Sequence, residues 1–184
     1  CSGLYMYNPS KRVFTTIYNT YKKQTVKLPT VCKDNSTLAF YAKLDTAKAN
    51  QKDVSVLVYR KDFEKAKVVA DNKMQWLPEK YNITEARSLQ MDSLGKRLFF
   101  GISKVPREKD TTLLDSEIAK LDIWHYQEPE LQTVQLNNLP QDLKRSYVCK
   151  IELDGDSAFA QLAGEEYPIV NVPEEWSGNW GYSV

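Results

Sequence analysis

A single imidazole, His125, and three thiols, Cys1, Cys32 and Cys149, are the side chains in this chain best suited to nucleophilic or metal chemistry. A serine or cysteine nucleophile needs a neighbouring base to take its proton, and a base of the usual imidazole type could only be His125. Its surroundings, Trp124-His125-Tyr126, read as the interior of a strand, where a packed or edge-exposed structural histidine is expected. No serine has glycine at both the second position before it and the second after it, so the G-x-S-x-G nucleophile elbow is absent. Gly178-Asn179-Trp180-Gly181 and Gly181-Tyr182-Ser183-Val184 come nearest and lack its geometry. A structural zinc site needs four N or S ligands; the one histidine and three thiols would all be required, and they are scattered without C-x-x-C spacing, so no zinc site is expected. Cys32 and Cys149 fall in strand-like segments and are expected as buried free thiols. These residue types assign no catalytic, cofactor-binding or metal-binding residue, and the chain by itself is expected not to be an enzyme.

Other groupings carry weaker chemistry. Glu165-Glu166 and Glu174-Glu175 read as solvated acidic turns. Trp176, Trp180 and Tyr182 could form a stacking platform for carbohydrate, or serve simply as core. Asn35-Ser36-Thr37 and Asn82-Ile83-Thr84 are formal glycosylation sequons. An N-terminal Cys1 fits either a lipid-bearing residue or a boundary within a longer chain. No basic segment followed by an apolar run opens the sequence as a signal peptide would.

Composition narrows the class of molecule. Lys and Arg (25) nearly balance Asp and Glu (24), against the clustered basic excess of a nucleic-acid binder. Tyr (11), Phe (6) and Trp (4) supply the apolar surface that disordered chains lack. The densest apolar clusters, 38–42 and 98–102, are strand-length, far below the roughly 18–20 residues of a membrane span. At 184 residues the chain can bury a substantial core.

The elements that must position these residues are strands. Short runs rich in Val, Ile, Thr and aromatics recur at 4–7, 12–18, 25–32, 37–42, 54–59 and 66–70. They continue at 86–91, 97–103, 120–126 and 131–136, then at 146–153, 157–162, 169–172 and 180–184. Segments 62–76 and 112–121 have weaker, competing helical spacing. Long charged connections at 44–53, 73–85 and 104–117 contain no Gly/Ser-rich linker, so 1–184 reads as one all-β domain.

An internal repeat organises the strands. Cys32-Lys33-Asp34-Asn35-Ser36-Thr37-Leu38-Ala39-Phe40-Tyr41 resembles Gln90-Met91-Asp92-Ser93-Leu94-Gly95-Lys96-Arg97-Leu98-Phe99-Phe100-Gly101, roughly 60 residues further on. Each predicts a hairpin in which an aspartate accepts turn amides, with Gly95 free to take a positive φ. The strand after each turn is apolar on both faces. A third strand is expected at 54–59 and at 121–126, and a fourth at 66–70 and 131–136. The pairs 146–153 and 157–162 would close a further unit. Antiparallel four-stranded units at this period fit blades of a partial β-propeller, about three in number; two stacked sheets of a β-sandwich are the alternative.

The stretches Lys96-Arg97-Leu98-Phe99-Phe100-Gly101, Lys109-Asp110-Thr111-Thr112-Leu113 and Ala119-Lys120-Leu121-Asp122-Ile123-Trp124-His125-Tyr126 carry a resemblance. So do Leu131-Gln132 with Gln135, Leu143-Lys144-Arg145-Ser146-Tyr147 and Gln161-Leu162-Ala163. Together the chain resembles the N-terminal β-propeller region of bacterial prolyl oligopeptidase-family (S9) serine peptidases, of the large secreted kind common in Bacteroidetes. The resemblance implies a noncatalytic segment that gates peptide access to a C-terminal α/β-hydrolase domain lying outside this sequence. It also implies a periplasmic or extracellular location, with that catalytic domain and the passing peptide substrate as partners. The 104–117 loop would face substrate or the partner domain. Glutamate pairs bind peptide amino termini in relatives with aminodipeptidase activity, which invites comparison with Glu165-Glu166 and Glu174-Glu175. An excised arc would expose sheet edges and is expected to self-associate or rearrange. The alternative function is a surface binding or scaffold domain for peptide or glycan.

Overall fold

The computed structural model describes residues 3–20, 24–44, 53–105, 127, 129–155 and 158–183. It divides into two units, Cys1–Val105 with Ser146–Val184, and Pro106–Arg145. The first is built of antiparallel β-structure. Strands β1 (Gly3–Asn8) and β2 (Val13–Asn19) form a hairpin, its turn held by Asn8 Oδ1, which accepts the Ser10 and Lys11 amides at 3.1 Å each. A four-stranded sheet follows in chain order: β3 (Gln24–Val31), β4 (Thr37–Leu44), β5 (Asp53–Arg60) and β6 (Lys67–Ala70). In the second sheet β7 (Tyr81–Thr84) and β8 (Gln90–Met91) both pair with one edge of β9 (Arg97–Lys104), and β10 (Tyr147–Glu152) and β11 (Phe159–Gln161) extend the other. A last hairpin joins β12 (Val170–Asn171) to β13 (Tyr182–Ser183).

The apolar-on-both-faces pattern of β4 and β5 has a direct cause. Side chains alternate across a strand, and the first sheet has a packed layer on each side. Ala39, Tyr41, Val56 and Val58 join a core shared with Leu98, Phe100 and Ile151 of the second sheet. Phe40, Ala42, Leu57 and Tyr59 turn the other way and meet Ile17 of the first hairpin. Phe40 and Tyr41 are both fully buried, each contributing roughly 1.5–3 kcal/mol. The second sheet is covered in turn on its far side, where Phe99 packs on Trp176 with ring centroids 4.9 Å apart.

The two hairpin turns repeat in detail. Cys32 N donates to Thr37 O at 3.1 Å and Asp92 N to Arg97 O at 3.1 Å. The residues that reverse the chain, Asn35 (φ 57) and Gly95 (φ 65), both take the left-handed conformation, as the turn demands. Asp92 Oδ1 accepts the Lys96 and Arg97 amides at 2.7 and 2.9 Å, as expected. One edge of each sheet is interrupted: β3 by an irregularity between Lys27 and Thr30, and the edge of the second sheet by the 85–89 turn that separates β7 from β8.

Several expectations are corrected. Residues 131–136 are not a strand: helix α1 spans Gln132–Asp142 in the second unit. Leu136, Leu139 and Leu143 recur at three- and four-residue steps, and the Gln135 amide bonds Leu131 O at 3.0 Å. Beyond β9 the second sheet continues with β10 and β11, so the strand expected at 131–136 is not part of it. The 86–91 segment is strand only at Gln90–Met91, and 73–85, expected as a connection, contains β7. Within 62–76 there is no helix; its strand is β6. The expected strand at 120–126, the helical alternative at 112–121 and most of the 104–117 loop lie outside the described residues. Among the described residues no helix is long and apolar enough to cross a membrane.

Candidate functional site

Two polar regions and one cleft could do chemistry. The first region lies where the two sheet edges are interrupted. Glu85, in the turn after β7, forms ion pairs with Lys43 of β4 and with Lys27 of β3, the latter at 3.4 Å. Burial works against its charge, but the two ammonium groups outweigh it and hold the carboxyl below its ordinary range. Beside it, the Tyr41 hydroxyl donates to Arg87 O at 2.9 Å. Burial raises that phenol well above its usual pKa, so it remains a neutral donor. Gly101 makes room here, because a Cβ at that position would lie 2.8 Å from Arg87 Cβ. These pairings fasten the two sheets together.

The second region surrounds the 173–178 turn. Glu174, Glu175 and Trp176 have φ of 56, 52 and 70°, a left-handed run costing roughly 1–2 kcal/mol per residue. Its fastenings are specific: Gly178 N bonds Pro173 O at 3.1 Å, Ser93 N donates to Ser177 Oγ at 2.9 Å, and the Arg97 guanidinium donates to the carbonyls of Ser177 and Gly178. Trp176 and Glu175 also line a cavity of about 350 Å³ between β3 and β8, along with Cys32, Lys33 and Met91. Glu175 is already ion-paired with Lys33.

The glutamate pairs thus stand in separate surroundings. Glu165 pairs with Lys104 at 2.7 Å and accepts from the Tyr81 hydroxyl at 3.4 Å, and the lysine holds its carboxyl below the ordinary range. Cys32 and Cys149 are buried free thiols. Burial pushes the Cys149 thiol up to about 12, which removes the thiolate needed for nucleophilic attack. Among the described residues no three His, Cys, Asp or Glu side chains converge as a metal site would require. His125 and Cys1 lie outside the described residues.

The cleft opens between the second sheet and the last hairpin. It encloses about 410 Å³ and is lined by Arg97, Lys150, Tyr167, Asn179, Trp180 and Tyr182 among others, within the size range of small-ligand pockets. Of the aromatics considered from the sequence, Trp176 is partly buried against the core, whereas Trp180 (63% exposed) and Tyr182 (50%) remain open to solvent. Tyr167, Arg97 and Lys150 join them from elements far apart in the chain, which no local spacing could have signalled.

No family model, curated protein or solved structure matches the chain.

Proposed function

We propose that the chain is a noncatalytic β-propeller segment of a secreted, bacterial prolyl oligopeptidase-type serine peptidase, an arc of blades that gates peptide access to a catalytic α/β-hydrolase domain. The observation that carries this reading is the layering of the first unit. A hairpin, a four-stranded sheet, a second sheet of the same order and another hairpin follow one another, each packed face to face on the next. The central sheets present apolar side chains on both faces, as blades do and as the sheets of a two-layer sandwich do not. The repeated turn at Cys32–Thr37 and Asp92–Arg97 supports a duplicated unit. The resemblance of the 96–101 and 143–147 stretches supplies the peptidase.

The segment's contribution is steric. Its sheets carry the walls of a passage, and the bond-breaking groups belong to the hydrolase domain. The test is to read and express the coding sequence beyond Val184. A G-x-S-x-G elbow followed by Asp and His, with hydrolysis of short proline-containing peptides by the longer protein, is the expected result. A downstream sequence without that elbow overturns the reading.

A further inference from the structure

The cleft between the second sheet and the last hairpin has a lining whose composition selects a ligand, independently of whether the chain belongs to a peptidase. Three aromatic side chains, Tyr167, Trp180 and Tyr182, line it while remaining half or more exposed. Trp180 and Tyr182 lie with ring centroids 6.3 Å apart and planes tilted by 39°. Large apolar faces left open inside a concave site mark a binding surface rather than core. The polar lining is one-sided: Arg97 and Lys150 are cationic, and no described lining residue is acidic. Arg97 is committed to the carbonyls of Ser177 and Gly178 and to Asp92. Lys150 is ion-paired with Glu152 at 3.0 Å, and among the described residues that single carboxylate is its partner, which leaves ammonium donors for a ligand. Asn179 adds a side-chain amide.

We propose that this cleft binds an anionic saccharide of the uronic acid class, its sugar ring on Trp180 and Tyr182 and its carboxylate on Lys150. A pyranose has an apolar C–H face that suits an exposed indole, and a rim of hydroxyls that suits the Asn179 amide. A carboxylate on that ring can take the Lys150 donors that Glu152 leaves.

The probe is trigalacturonic acid, with its methyl ester as the uncharged counterpart, titrated into the full 184-residue chain by calorimetry and tryptophan fluorescence. The acid is expected to bind and the ester to bind at least about tenfold more weakly. Trp180→Ala abolishes binding of both, Trp180→Phe restores it in part, and Lys150→Met brings the acid down to the level of the ester. Trp180 is 63% exposed, so the variants keep the parent circular dichroism. Absence of acid binding overturns the proposal, as does unchanged affinity in Trp180→Ala. Equal affinity for acid and ester overturns the anionic class, and equal binding of a hexaglutamate peptide overturns the saccharide.

Discussion

Gly95 lies flat against Thr37: a Cβ added to the glycine would sit 2.6 Å from Thr37 Oγ1 and 3.2 Å from Cys32 Sγ. The turn of the second repeat therefore rests directly on the turn of the first, and Arg60 ties them further by donating to Gly95 O at 3.3 Å. Gly95 also has φ of 65°. Gly95→Ala meets both the steric and the conformational penalty and is expected to cost about 2–4 kcal/mol, read from the urea midpoint. A loss under half a kilocalorie would show that the turns do not touch.

Cys32 and Asp92 hold the same station in the two turns with different chemistry. The Cys32 sulfur accepts the Thr37 amide at 3.1 Å, whereas the buried Asp92 carboxylate accepts two amides and faces the Arg97 guanidinium at 3.5 Å. A charged acceptor leaves more behind when removed. Asp92→Ala is expected to cost about 2–4 kcal/mol and Cys32→Ala about 1 kcal/mol; equal costs in chemical denaturation would contradict this ordering.

The first turn also titrates. The hydrogen bond from the Cys32 thiol, followed by the Ser36 amide, holds the Asp34 carboxyl down to about 2 from its ordinary 3.8. A carboxyl depressed by folding adds stability above its unfolded pKa, and that contribution is lost as pH falls toward its folded value. Asp34→Asn should therefore show a shallower loss of stability between about pH 4 and pH 2 than the parent. Parallel acid limbs for the two proteins would refute the assignment.

Trp176 and Trp180, four positions apart, should behave oppositely. Trp176 packs on Phe99 at 4.9 Å, so Trp176→Ala is expected to destabilise by about 2–3 kcal/mol. Trp180 is mostly solvent-exposed, and its replacement should change the thermal midpoint by no more than about a degree or two.

What the sequence reveals, and what it hides, follows from where the deciding contacts lie. The first sheet is legible because its strands are contiguous, doubly buried and separated by clear turn signals. Strand β7 is hidden, since Tyr81-Asn82-Ile83-Thr84 buries only Ile83 and sits among charged turns. The partner of β9 is hidden for another reason: nothing local identifies Tyr147–Glu152, beyond an intervening unit, over nearer strand-like residues. Helix α1 escapes because Leu131, Val134 and Leu136 fit either period over so short a run. The cleft was half visible. Trp180 and Tyr182 stand out as aromatics, but only tertiary packing separates them from Trp176 and brings Lys150 alongside.

The position of the second unit within the chain has a consequence for how the protein is made. All four strands of the first sheet lie in one uninterrupted stretch ending at Ala70. The second sheet cannot pair β9 with β10 until the whole of Pro106–Arg145 has been synthesised. Closing that connection, roughly five times as long as 45–52, costs about 1.5 kcal/mol more in loop entropy. The first sheet should thus assemble while the chain is still emerging from the ribosome, leaving a nascent platform whose Tyr41 face waits for its partner.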